Sequence, residues 1–177
     1  GKKVNTALDN QGTLNVQATG VLNGTLTAAA NSLVSIQGTN SANGALTVAN
    51  GFTNQGTIQL TATIGTGNSS LAVTNGTLVN APAGTITTLV GTGTSGRTLF
   101  AQLDNQGTIS VGATLSLNKS GAAHTNSGTI DLSAADLGIS LGGSTFTTTG
   151  AITLPAGRTF STSGGTVIYG SGAFGAG

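Results

Sequence analysis

One five-residue signature, Asn-x-Gly-Thr-Ile/Leu, returns along this chain and limits what it can fold into more than any other feature. It stands at Asn10-Gln-Gly-Thr-Leu14, Asn54-Gln-Gly-Thr-Ile58, Asn105-Gln-Gly-Thr-Ile109 and Asn126-Ser-Gly-Thr-Ile130. A fifth copy, Asn80-Ala-Pro-Ala-Gly-Thr-Ile86, carries two extra residues, and Thr148-Thr-Gly-Ala-Ile152 has lost the Asn and the Thr. The glycines at 12, 56, 84, 107, 128 and 150 are separated by 44, 28, 23, 21 and 22 residues. A fixed period of this size is the mark of a repeat architecture in which each unit buries its apolar face on the next. The gap of 44 is two turns, and Ser32-Leu-Val-Ser-Ile36 is the degenerate turn expected inside it, with Val34 and Ile36 answering Leu14 and Val16.

After each signature the apolar residues alternate with period two, as in Ile58 and Leu60, Ile109 and Val111, or Ile130 and Leu132, which marks strands with one buried face. A second alternating segment follows in most turns: Leu46 and Val48, Leu71 and Val73, Leu115 and Leu117, Ile139 and Leu141. At least two short strands per turn are expected, parted by Gly, Asn, Ser and Thr corners. Strands that recur in one direction stack as parallel ladders about 4.8 Å apart. The expected fold is all-β, a right-handed parallel β-solenoid (β-helix) of about seven turns filling one domain over 1–177. Residues 1–7 read as a lead-in or N-terminal cap, and 169–177 as a Gly-rich tail. The larger middle turns place loops at 61–70 and 88–98, where a specific contact is better accommodated than on the regular faces.

The paired residues of the signature, Asn10 and Gly12, Asn54 and Gly56, Asn80 and Gly84, Asn105 and Gly107, Asn126 and Gly128, are assigned to a structural corner. Glycine suits a corner where a Cβ would clash or φ is positive. Aligned Asn side chains form a stacked amide ladder that meets backbone groups the turn leaves unpaired.

Charged residues make up only 5% of the 177 residues, so Thr, Ser, Asn and Gln must supply the polar exterior. The five basic residues are scattered and the net charge is +1, which excludes a counterion-releasing nucleic-acid surface. No apolar stretch reaches the length of a membrane span, so membrane insertion is not expected. With no cysteine there is no disulfide or thiolate metal site, and the absence of Cys, Met and Trp suits a secreted surface. Beginning at Gly1 without Met, the chain reads as a mature or excised piece of something longer.

On these signatures the sequence resembles the β-helical repeats of secreted bacterial adhesins, of the filamentous-haemagglutinin-like and autotransporter-passenger type, over roughly residues 8 to 168. The resemblance implies a right-handed β-helix at a bacterial cell surface or outside the cell, and it carries over no ligand and no functional residue.

Chemistry is sparsely provided. A polysaccharide lyase or hydrolase on this scaffold needs paired carboxylates, calcium ligands or a basic residue. The acids are Asp9, Asp104, Asp131 and Asp136, with Asp9 and Asp104 several turns apart and Asp131 and Asp136 on either side of a corner. His124 falls in the column of Leu8, Phe52, Leu78 and Leu103, where it reads as a tolerated, hydrogen-bonded substitution at a corner rather than a base. No catalytic residue, metal or cofactor is expected. The outward residues Thr13, Thr57, Thr85, Thr108 and Thr129 form a candidate binding face for ice or a crystalline polysaccharide. The expected role is structural or adhesive, a non-enzymatic segment of a surface adhesin or of a surface or matrix fibre. Its expected partners are itself by end-to-end stacking, further repeats of a longer chain, or host or matrix glycans.

Overall fold

The computed structural model describes residues 1–62, 66–92, 95–170 and 174–175, and every helix-free repeat in them is built of strands paired in parallel. The strands that follow the signature form face one. They are Thr13–Val16, Leu33–Gly38, Thr57–Ala62, Thr85–Thr88, Thr108–Val111, Thr129–Asp131, Ala151–Thr153 and Phe174–Gly175, stacked in that order. Face two holds Lys2–Val4, Thr19–Leu22, Leu115–Asn118, Leu137–Ser140 and Phe160–Ser163; face three holds Leu8–Asn10, Leu26–Ala28, His124–Asn126, Thr145–Thr148 and Thr166–Tyr169. In the middle of the coil, Gly44–Asn54, Ser69–Asn80 and Arg97–Asn105 run through faces two and three without a break. Eight rungs on each face make a β-solenoid of about seven turns.

The degenerate turn lies where the spacing put it: Val34 pairs with Leu14 and Ile36 with Val16. Its corner also explains why the signature is hard to see there. Ala28 takes the Asn column and Ser32 precedes the strand as Gly12 does, four residues apart like Asn80 and Gly84, with Asn31 at φ 63° absorbing the wider bend. Face three is a third ladder per turn. Its strands are as short as Leu8–Asn10, too brief for a period to register, and they merge into the signature that follows.

Each face sends columns of apolar side chains inward. Val34, Ile58, Ile86, Ile109, Ile130 and Ile152 line one column of face one, and all are buried. Leu46, Leu71, Leu99, Leu117 and Ile139 do the same on face two. Burying one such side chain is worth about 1.5–3 kcal/mol, so every rung adds stability through its neighbours. Sequence repetition thus becomes one continuous core.

Where turn lengths change, the ladders must adjust. Phe100 pairs with Ala72 and Gln102 with Thr77, so Ala101 faces the longer stretch of residues 73–76, which bulges through Gly76 at φ 77°. Lys119, two rungs higher, donates from Nζ to the carbonyls of Val73 at 2.8 Å and Thr74 at 2.9 Å. A long cation thereby meets acceptors that the shorter rung above does not reach.

Candidate functional site

The signature Asn side chains point inward, beside the core rather than into solvent. Asn54, Asn80 and Asn105 are 0% exposed and Asn126 is 2% exposed. Their amides form a chain: Asn54 Nδ2 donates to Asn80 Oδ1 at 2.9 Å, Asn80 to Asn105 at 2.8 Å, Asn105 to Asn126 at 2.6 Å, and Asn126 to Thr148 Oγ1 at 2.9 Å. The Nδ2 groups of Asn54, Asn80 and Asn105 also reach the carbonyl of the signature glycine and that of the strand residue one rung up, as Asn80 does to Gly84 and Thr108, both at 3.2 Å. Burial in a low-dielectric column strengthens each bond and makes each loss expensive. The ladder breaks at Ala28: Asn10 instead donates to the Leu33 carbonyl at 3.1 Å, and Asn54 Oδ1 is left without a partner.

The glycines earn their place by close approach. None of Gly12, Gly56, Gly84, Gly107 or Gly128 has a positive φ; a Cβ on any of the last four would run into carbonyl oxygens of the rung below. Gly12, on the lowest rung of this corner, has nothing within 4 Å.

Outward on face one, Thr57, Thr85, Thr108 and Thr129 stand on consecutive rungs, about 4.8 Å apart. Thr13 is separated from them by Leu33, and Ala151 follows Thr129. The next outward column is mixed: Asn15, Ser35, Gln59, Thr87, Ser110, Asp131 and Thr153.

The titratable groups are spread out. Asp9 and Asp104 share the outward column of face three with Thr27, Thr53 and Val79 on the rungs between, four steps or about 19 Å apart. Gln11 and Gln106 donate to them at 2.6 and 2.7 Å, and Thr125 adds a bond to Asp104 at 2.6 Å. Asp131 accepts from the Ser133 N–H and Asp136 from the Thr159 N–H, both at 2.9 Å. Among the described residues no group of three His, Asp or Glu is placed to hold a metal ion.

His124 lies within a face-three strand, not at the expected corner, because it pairs in the ladder beside Leu103 below and Phe146 above, and it is 0% exposed. The Leu103 N–H donates to its Nδ1 at 3.2 Å, and Nε2 has no partner. Burial pushes its pKa down to about 4, opposed by a backbone group of Lys119, so the ring is a neutral member of the core.

Comparison with protein-family models, curated proteins and solved structures gives no match. The shared style of the Asn-Gly-Thr repeats therefore carries the architecture, a β-solenoid, and nothing finer.

Of the loops at 61–70 and 88–98, residues 63–65 and 93–94 lie outside the described residues. Arg97 closes the second of them. It occupies an inward column between Ser69 and Leu115, is 1% exposed, and donates to the carbonyls of Leu89, at 2.9 Å from Nη2, and Ser95. Burial lowers its pKa from the ordinary arginine value. Sequence reasoning passed over this role, although the period-two count back from Leu99 already turns Arg97 inward.

Proposed function

We propose that the chain is a structural, non-enzymatic coil, a stiff segment of an extracellular bacterial adhesin or surface fibre. The observation that supports this reading is continuity: among the described residues the core columns and three strand ladders pass from rung to rung, and the amide ladder runs unbroken from Asn54 to Thr148. A mostly uncharged exterior of Thr, Ser, Asn and Gln belongs with such a role, because it makes a uniform shaft. Antibodies raised against the coil are expected to label intact cells of the source organism, and external protease treatment to remove the label. Labelling only after lysis, or turnover of any member of a polysaccharide panel by the purified chain, sinks the proposal.

A second reading draws on the four-rung threonine file. Its regular spacing suits ice or a crystalline glycan, and inhibition of ice recrystallisation that disappears in Thr108→Lys is the result that replaces the structural reading.

A further inference from the structure

Folding takes one cation of this chain out of water and gives it no counter-charge. Of the five basic side chains, Lys2, Lys3 and Arg158 are exposed, Lys119 is half-buried, and Arg97 alone is buried, at 1% exposure. Arginine is almost never enclosed unless an opposite charge meets it, because its hydration is lost and neutral acceptors do not cancel a unit charge. Among the described residues the groups bonded to this guanidinium are carbonyls: Leu89 accepts from Nε at 3.2 Å and from Nη2 at 2.9 Å, and Ser95 accepts from Nη1. The four carboxylate side chains of the sequence are engaged elsewhere. Asp9 and Asp104 accept from Gln11 and Gln106 on the outward column of face three, and Asp131 and Asp136 accept from the N–H groups of Ser133 and Thr159.

A second observation falls on the same spot. Ser69, the inward residue one rung below Arg97, is 0% exposed and its Oγ has no partner. A buried hydroxyl that bonds nothing carries the full cost of its lost hydration. Leu115, one rung above, contributes no polar side-chain atom. The column thus sets a lone cation and an unused hydroxyl on adjacent rungs, about 4.8 Å apart, and both can donate. Burial is the cause of the lowered Arg97 pKa, with no negative charge opposing it. Leu89, whose carbonyl holds the guanidinium, is itself 40% exposed, so the way in from solvent is short.

We propose that Arg97 and Ser69 hold a chloride ion at the corner between faces one and two. One positive charge calls for one negative charge, and two donors without an acceptor between them suit a spherical anion. Enclosure at 1% exposure selects a monatomic ion over a carboxylate, which brings the rest of a molecule with it. The ion ties the guanidinium that closes this enlarged corner to the rung below. Stability of the irregular middle turn therefore follows the halide content of the medium, a property that goes beyond the role of a structural shaft.

Urea unfolding followed by circular dichroism tests the proposal, with ionic strength held constant by exchanging sodium gluconate, too large to enter, for sodium chloride. A ligand that binds only the folded chain raises the folding constant in proportion to its concentration once the site is filled, so a gain of up to about tenfold per tenfold rise in chloride is expected. Arg97→Met keeps an unbranched side chain, removes the charge, and is expected to abolish that gain. Ser69→Ala keeps the cation, removes one donor, and is expected to need more chloride for the same gain. A crystal soaked in bromide is expected to show an anomalous peak within bonding reach of the Arg97 guanidinium, and together with Ser69→Ala it decides the matter should Arg97→Met fail to fold. A folding constant that ignores chloride, or that rises equally in Arg97→Met, overturns the site, as does bromide bound only elsewhere. A response to formate without one to chloride overturns the halide. None of these results touches the surface location tested above, so the two proposals fail separately.

Discussion

At Gly107 a Cβ would fall inside contact distance of the carbonyl oxygens of Ala81 and Gly84 on the corner below, whereas at Gly12 it would meet nothing within 4 Å. Gly107→Ala is therefore expected to destabilise the coil by about 1–3 kcal/mol through overpacking, and Gly12→Ala to leave the urea midpoint within about 0.5 kcal/mol of wild type. Equal losses at both positions would return the glycine to a role in backbone conformation. His124 gives a second test at this scale. Folding lowers its pKa from 6.5 to about 4, so the unfolded chain takes up a proton that the folded chain refuses between those values. Its contribution is fully present above pH 6.5 and is lost as the pH falls toward 4, by up to about 3 kcal/mol. His124→Leu, which restores the residue type of Leu103 below it, is expected to remove that slope from urea titrations run between pH 7 and pH 4. The column membership of His124 was legible from spacing alone. Its complete burial was not, because a period of two separates inward from outward without saying how much covers the inward side.

The amide ladder is an element in its own right, and its strength should depend on position along the column. Asn105 is bonded through both neighbours, accepting from Asn80 and donating to Asn126, Gly107 and Thr129. Asn105→Ala leaves buried partners on both sides unmatched and is expected to cost about 2–3 kcal/mol in chemical denaturation. Asn10→Ala, where one bond to Leu33 is lost at the coil's edge, is expected to cost about 1 kcal/mol or less. A ladder that merely decorates the corner would show the same small loss at both sites. The recurrence of Asn in the sequence pointed to this element. Its break at Ala28 and the unpartnered Asn54 Oδ1 were invisible there, since the alignment of the second turn depends on which strand pairs with which.

On the scale of the whole molecule, stability is carried by nearest-neighbour rungs, so a complete turn should be removable. Deleting 107–127 joins Asn105-Gln106 to Gly128-Thr129-Ile130 and regenerates an intact signature across a 21-residue excision. The shortened coil is expected to fold, with the circular dichroism of strands and a urea m-value smaller by roughly an eighth, in step with the surface it buries. Loss of all structure would mean that the turns are not interchangeable. The sequence by itself determined the period, the strands, the parallel stacking and the inward columns, all of which follow from local alternation and from repetition of one corner. Tertiary structure decided the rest. Glycine is required by the carbonyl of the rung below, Asn is held by the Asn of the next rung, and Lys119 finds acceptors two rungs away. Each of these depends on contacts between residues some 20 to 46 positions apart, and only the register of the closed coil sets which residues those are.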